Sequence, residues 1–305
     1  MFSFLQIIVD AASLGSLYAL LALAIGLVFG IMRLVNFAQG DYITLGAYAL
    51  ILPSGDAVAT IFIGNWPWPA MVASVVMICV IAALLTERFV FRPLRRADPE
   101  TLLIASFAVS FLIQNLILVV YGGRPKSAGI LDSLSESVTL FDGLRVAGVE
   151  LVTIAVTAIL LVGLVLFLRC TSIGVQMRAV AEDNRMARLL GVRSDRIIAL
   201  TFGIGGLIAG VVSILVMAQT GVLDYRMGVL LIVYAFFATV VGGMGSLLGA
   251  SLGGFVLGSV SDLLQAFLPP ELRPFRDAFL FAIVIFILLV RPQGLIVPRS
   301  ARERV

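Results

Sequence analysis

Apolar runs about as long as a bilayer crossing recur from one end of this chain to the other, which leaves it few ways to fold. A hydrocarbon core takes roughly 20 apolar residues per helix. Such runs stand at residues 7–31, 34–52, 69–90, 102–121, 151–168, 197–218, 229–241, 247–267 and 278–290. They predict an all-α fold, a polytopic transmembrane helix bundle that forms one cooperative unit over residues 1–305. Glycine is dense over residues 242–254, and this leaves the count at eight or nine spans. The first run is too long for a signal-peptide core and has no basic leader, so it reads as a retained span.

Composition agrees. The chain is 61% hydrophobic, its mean hydropathy is +1.12 and only 13% of its residues are charged, against about 25% in soluble domains. A water-soluble core cannot hide that much apolar surface, so lipid must solvate some of it. The net charge of +3 and the pI of about 9.1 do not point to nucleic acid, because the arginines sit in short loops between apolar runs. One set of loops carries Arg33, Arg88, Arg92, Arg95, Arg96, Arg169, Arg178, Arg185, Arg188, Arg193, Arg196, Arg291, Arg299, Arg302 and Arg304. The alternate set carries only Arg124, Lys126, Arg145, Arg226, Arg273 and Arg276. The positive-inside rule makes the first set and the C-terminus cytoplasmic. Trp66 and Trp68 flank prolines at a span end, as interfacial aromatics do.

Several chemistries are excluded. The chain has no histidine, which removes the commonest general base and metal ligand. Cys79 and Cys170 form neither a disulfide framework nor a metal motif. A P-loop needs a lysine after its second glycine to reach the phosphates, yet the single lysine, Lys126, follows Pro125. The chain carries no nucleotide engine of its own. If ATP drives it, another chain binds the ATP and Mg, and this chain needs no cofactor.

Two loops are long enough to have structure. In the external loop 122–150, Asp142-Gly143 stands between short β-prone runs and reads as a hairpin turn. In the basic internal loop 170–196, Asp183 can cap a short helix and Gly191 can close it. Arg185 and Arg188 then share one face. This loop serves either as an orientation signal or as a docking element for a partner protein.

Polar residues inside apolar runs are the remaining signal. Gln114 and Asn115 sit mid-span, Asp262 lies late in the run 247–267, and Asn36, Gln39 and Asp41 stand at the inner end of a span. The amides can serve interhelical hydrogen bonding or a solute pathway. A carboxylate in lipid is costly, so Asp262 must face partners or water. Glycines at fourth positions (Gly26 and Gly30; Gly206 and Gly210; Gly245, Gly249 and Gly253) allow close helix packing. The cluster at 242–254 also suggests a helix break lining a pathway.

The segment Gly30-Ile-Met-Arg-Leu-Val-Asn-Phe-Ala-Gln-Gly-Asp41 resembles the first signature block of branched-chain amino acid ABC importer permeases of the LivH type. Arg92-Pro-Leu-Arg95, then Ser110 and Leu112-Ile-Gln-Asn115, resemble the next block. Arg178-Ala-Val-Ala-Glu-Asp-Asn-Arg-Met-Ala-Arg-Leu-Leu-Gly191 is similar to the family's cytoplasmic coupling loop. Gly242-Gly-Met-Gly-Ser-Leu-Leu-Gly-Ala-Ser-Leu-Gly-Gly254 and Arg291-Pro-Gln-Gly-Leu295 resemble its C-terminal blocks. The resemblance runs over nearly the whole chain, and the order and spacing of the blocks make it specific.

The resemblance implies a non-catalytic permease in the bacterial inner membrane. Its partners would be a second permease (identical or paralogous), two cytoplasmic ATPase subunits and an extracytoplasmic solute-binding protein. Typical cargo would be leucine, isoleucine and valine. Related permeases carry urea or short amides, and a stand-alone channel or secondary carrier for a small neutral solute is the rival class. Arg178, Glu182, Asp183, Arg185, Arg188 and Gly191 are the expected ATPase-coupling residues. Asn36, Gln39, Gln114, Asn115 and Asp262 are the expected pathway residues. Gln39 stands where the family usually carries histidine, and of the general Glu-Ala-Ala coupling consensus only Ala187 and Gly191 keep the spacing.

The charge pattern predicts that a cysteine placed at Ser133, with Cys79 and Cys170 removed, reacts with a membrane-impermeant maleimide in intact cells. Labelling only after permeabilisation would reverse the topology.

Overall fold

A computed structural model of the chain describes residues 2–54, 56, 58–95, 97–129, 137–141, 144–292 and 294–296. Among these residues lie eleven α-helices: α1 Phe2–Met32, α2 Ala38–Tyr48, α3 Trp68–Thr86, α4 Pro99–Tyr121, α5 Gly148–Cys170, α6 Ser172–Glu182, α7 Asn184–Leu189, α8 Ser194–Thr220, α9 Met227–Gly242, α10 Leu247–Phe267 and α11 Arg276–Val290. Among the same residues strand is confined to β1 Lys126–Ser127, β2 Ser137–Phe141, β3 Leu144–Ala147 and β4 Val222–Leu223. Antiparallel pairing of β2 with β3 forms the expected hairpin; its turn, Asp142-Gly143, lies outside the described residues. Helices dominate because lipid offers backbone groups no hydrogen-bond partner.

Among the described residues six helices are long and apolar enough to cross a membrane: Gln6–Met32 within α1, Trp68–Phe91 (α3 with the turn that follows it), α4, α5, α8 and α10. The protein is an all-helical, multi-pass membrane bundle. The three other expected spans are shorter helices, α2, α9 and α11, of 11, 16 and 15 residues. In α2 the reason is local. Leu50 N–H turns back to Ala47 O and Ile51 N–H to Tyr48 O, and Ile51 then bridges Ile61. Leu50 and Ile51 are buried loop residues whose hydropathy mimics a longer helix.

Glycine and proline set several of the ends. Pro69 and Pro99 fall in the first turns of α3 and α4, where a missing N–H costs nothing. α8 ends at Gly221 in the left-handed conformation, φ 62°, its N–H bonded to Met217 O at 2.9 Å.

The chain divides into two compact units, Met1–Gly26, Asp132–Leu161 and Val233–Val305 in the first, Leu27–Leu131 and Val162–Ile232 in the second. In the first unit α9 and α10 meet where a Cβ on Gly253 would come within 2.2 Å of Ala238 O. Between these helices the chain breaks at Gly243 and Gly245, φ 107° and 93°, and Ser246 caps α10 by accepting from Gly249 N–H at 3.1 Å. The glycine cluster thus supplies both a break and a close contact. Leu295 and Ile296 N–H bond Val241 and Gly242 O, so the end of α9 and the segment after α11 lie at one end of this unit.

In the second unit α8 packs along α3, and α2 is wedged against α3, α4 and α8. A Cβ on Gly206 would meet the backbone of Cys79 and Val80 at 2.8 Å, and one on Gly210 would meet Val76 Cα at 2.7 Å. At one end β1 pairs with β4, Val58 bridges Ser127, and the buried Lys126 Nζ donates to Ser54 O and Asp56 O at 2.5 and 2.9 Å. The loops that the charge pattern assigns to the outside therefore touch one another.

Gly206→Ala should lower stability by about 1–3 kcal/mol, because the methyl group must push the two helix backbones apart. Gly203→Ala in the same helix meets only Leu84 Cδ2 at 3.8 Å. It should leave stability unchanged or raise it by up to about 1 kcal/mol through helix propensity. Thermal unfolding in detergent compares them, and equal shifts would remove the close-packing argument.

Candidate functional site

The basic loop folds as two short helices. Thr171 Oγ1 accepts from Gly174 N–H at 3.0 Å and starts α6, which buries Gly174, Met177 and Val180 and leaves Arg178 and Glu182 exposed. The helix stops at Asp183, whose extended backbone turns the chain and whose carboxylate caps α7. Oδ1 accepts from Arg185 N–H at 2.8 Å and Met186 N–H at 2.9 Å. Gly191, φ 86°, closes α7, a conformation that glycine adopts without the clash of a Cβ. Only Ala187 of α7 is buried; Arg185, Met186, Arg188, Leu189 and Leu190 are exposed. Apolar and basic side chains therefore stand exposed side by side on this short helix.

An ionic hub at the foot of α8 ties this element to the bundle. Asp195 accepts from Arg95 and lies 3.6 Å from Arg92 and 3.7 Å from Arg188. Arg95 also pairs with Glu87, which is buried at the start of a π-turn, Glu87–Phe91, that ends α3. Three sequence regions, residues 87–95, Arg188 and Asp195, thereby converge on one carboxylate. Arg188 points back into this hub, so Arg185 is the arginine of the expected pair that carries no ion pair among the described residues.

The second polar cluster surrounds α2. Asp41 is fully buried and interacts with Ser110 and Gln114 of α4, and Gln114 Nε2 donates to Ser110 Oγ at 3.0 Å. Gln39 Nε2 donates to Gly205 O of α8 at 2.8 Å. Asn36 Oδ1 accepts from Ala38 N–H at 3.2 Å, and its side chain reaches Tyr42. Gly228 N–H donates to Thr44 Oγ1 at 3.0 Å, where the backbones of Gly40 and Gly228 meet. Gln39 Oε1 and Asp41 Oδ1 lack partners among the described residues, so buried hydrogen-bonding capacity remains open around this helix.

The structure thus gathers Asn36, Gln39 and Gln114 in the polar surroundings of α2. Asn115 instead donates to Phe111 O of its own helix at 2.7 Å. Asp262 lies in the first unit, half-buried on α10, within electrostatic reach of Asp10 and Arg276. Sequence reasoning left Asp41, Glu87 and Asp195 out of the site. Asp41 was visible as a charge inside an apolar run. The Arg95–Asp195 pair spans 100 residues and leaves no local signal. Among the described residues no group of three or more His, Cys, Asp or Glu could hold a metal ion.

Helices of spanning length, a capped basic element at one end and a polar cluster within the second unit define a multi-pass membrane protein of the transport class. Residues 7–288 match the family described as branched-chain amino acid transport system / permease component, and the chain belongs to that family. It is 33% identical over 307 residues to the high-affinity branched-chain amino acid transport system permease protein LivH of Escherichia coli K12, covering 96% of this chain and 95% of that protein. It is 32% identical to the corresponding permease protein BraD of Pseudomonas aeruginosa, with 97% and 96% covered. A probable LivH of Methanocaldococcus jannaschii is 27% identical over 95% of this chain.

Removing one partner of a buried charge pair costs about 3–5 kcal/mol, whereas an exposed pair contributes about 0–1 kcal/mol. Arg95→Ala, which strands Glu87, should therefore lower the unfolding temperature strongly, and Arg92→Ala should barely move it. Similar melting curves for the two variants would show that the hub does not hold the foot of α8.

Proposed function

We propose that this chain is the permease subunit of an ATP-driven importer of branched-chain amino acids in the bacterial inner membrane. The observation that carries the reading is a family match spanning nearly the whole chain together with 33% identity to LivH over 96% of it. The chain itself binds no nucleotide. Two cytoplasmic ATPase subunits supply ATP and Mg, a second permease completes the pathway, and an extracytoplasmic binding protein delivers the amino acid.

In this reading α2, α9 and α11 also cross, giving nine spans with the N-terminus outside and the C-terminus in the cytoplasm. The Arg178–Gly191 segment then faces the ATPases. Arg185, Met186, Leu189 and Leu190 form the contact, with Asp183 and Gly191 fixing the shape of α7. Arg188 passes displacement of α7 to Asp195 and so to α8. The solute meets the polar surroundings of α2, where Asn36, Gln39, Gln114 and Asp41 offer hydrogen bonds, while Asn115 and Asp262 serve more peripheral polar surfaces. Tilting of α8 and α3 against α2 would open this region alternately to the two sides.

Reconstitution tests the proposal. Proteoliposomes holding the permeases, the ATPases and the binding protein should accumulate leucine only with ATP. The Arg185→Glu, Arg188→Glu double variant should insert and fold normally, yet co-purify poorly with the ATPases and lose most uptake. Met186→Pro should do the same, because proline costs roughly 3 kcal/mol within a helix. ATP-independent leucine flux through the permease alone would make it a channel or secondary carrier. Normal co-purification and uptake in both variants would reduce the loop to an orientation signal.

A further inference from the structure

We infer that the cleft at the foot of α8 is a binding site for the phosphate of an anionic lipid headgroup. The cleft, about 410 Å³, is lined by Arg92, Arg188, Arg193 and Arg196, with Ser194 and Asp195 between them. With the adjoining Arg95 and Glu87, five arginines face two carboxylates, and both carboxylates are already engaged by Arg95. Three positive charges stay uncompensated within one small space, an arrangement that a bound anion relieves.

Ser194 supplies an independent sign. The residue lines the cleft and is 2% exposed, and its buried hydroxyl has no hydrogen-bond partner among the described residues. A buried hydroxyl without a partner is unfavourable unless something enters to meet it. The first turn of α8 adds a positive helix end, and its N-cap residue, Arg193, makes no side-chain cap bond there. A phosphate fits this donor set better than a carboxylate does, since it offers more acceptor oxygens to several guanidinium forks at once.

The position of the cleft points to lipid. Arg92 follows by one turn the outward-facing Phe89, which is 72% exposed, and Arg196 precedes by one turn the exposed Leu200. Each arginine thus stands at the end of a spanning helix above an uncovered apolar side chain. Anion-binding groups set directly over acyl-facing ones match a lipid molecule from headgroup to tail. This inference does not rest on the transported solute or on the ATPase partners, because its readout is lipid retention alone.

The test uses the full chain purified in mild detergent with phosphatidylglycerol or phosphatidylcholine, followed by native mass spectrometry. The wild-type chain should retain phosphatidylglycerol selectively, at one molecule per chain. Arg92→Gln with Arg196→Gln should weaken retention about 30-fold, and Arg124→Gln, in the external loop, should not. Ser194→Ala, which removes only the hydroxyl, should weaken it about fivefold and guards against misfolding of the double variant. Equal retention by all variants would overturn the site. Displacement of the lipid by millimolar inorganic phosphate would assign the cleft to a soluble phosphate instead. Displacement by added ATPase subunits, absent in the double variant, would assign it to a partner's acidic side chain; either result overturns the lipid reading.

Discussion

Helices in lipid gain little by hiding leucine from acyl chains, so they must associate through close packing and hydrogen bonds. The rest of this structure depends on that constraint. Where α8 meets α3, Gly206 and Gly210 bring backbone against backbone, and where α2 meets the start of α9, Gly40 and Gly228 do the same. In the first unit Gly254 and Gly258 of α10 lie against Tyr18 and Gly15 of α1. Each approach is closer than a Cβ would permit. Thr44 to Gly228, Thr239 to Ala22 and Ser259 to Ala11 add hydrogen bonds along the same seams. The small residues are therefore the points of closest contact in the bundle, while large apolar side chains such as Phe89, Phe111 and Val119 stay exposed on its surface.

Packing of this kind leaves room for polarity only where it can be satisfied locally. Around α2 it is nearly satisfied. Gln39 reaches the backbone of α8, and Gln114 and Ser110 meet Asp41, but Gln39 Oε1 and Asp41 Oδ1 keep spare capacity. A buried network in that state binds its helices together while leaving some donors and acceptors unused. α2 itself is short and almost wholly buried, so its polar residues are held by three neighbouring helices.

At the foot of the second unit the logic is electrostatic. Asp195 collects Arg92, Arg95 and Arg188 from segments far apart in sequence, and Glu87 anchors the assembly from below. α7 is tied to the spanning helices mainly through this hub and the buried Ala187. The hub thus links α7 to α8 and to the end of α3, two of the three helices that pack on α2. The same hub positions the arginines of the adjoining cleft.

The sequence alone determined whatever depends on neighbours along the chain. Hydropathy marked the long spans, the missing lysine excluded a Walker-type P-loop, and Asp183 and Gly191 announced α7 because cap bonds join residues two or three apart. The family was legible in ordered short blocks, and the family match itself spans residues 7–288. Tertiary structure decided the rest. Hydropathy could not show where α2 stops, since Leu50 and Ile51 are as apolar as a helix interior yet lie in a buried loop. Lys126 read only as the wrong lysine for a P-loop, and folding made it a buried clamp on Ser54 and Asp56. Gln114 and Asp41 were each visible as polar residues in apolar runs but their pairing was not, and nothing local to Arg95 names Asp195. Pairings of that kind depend on which helix faces approach each other, and helix packing sets those faces only after the chain has closed on itself.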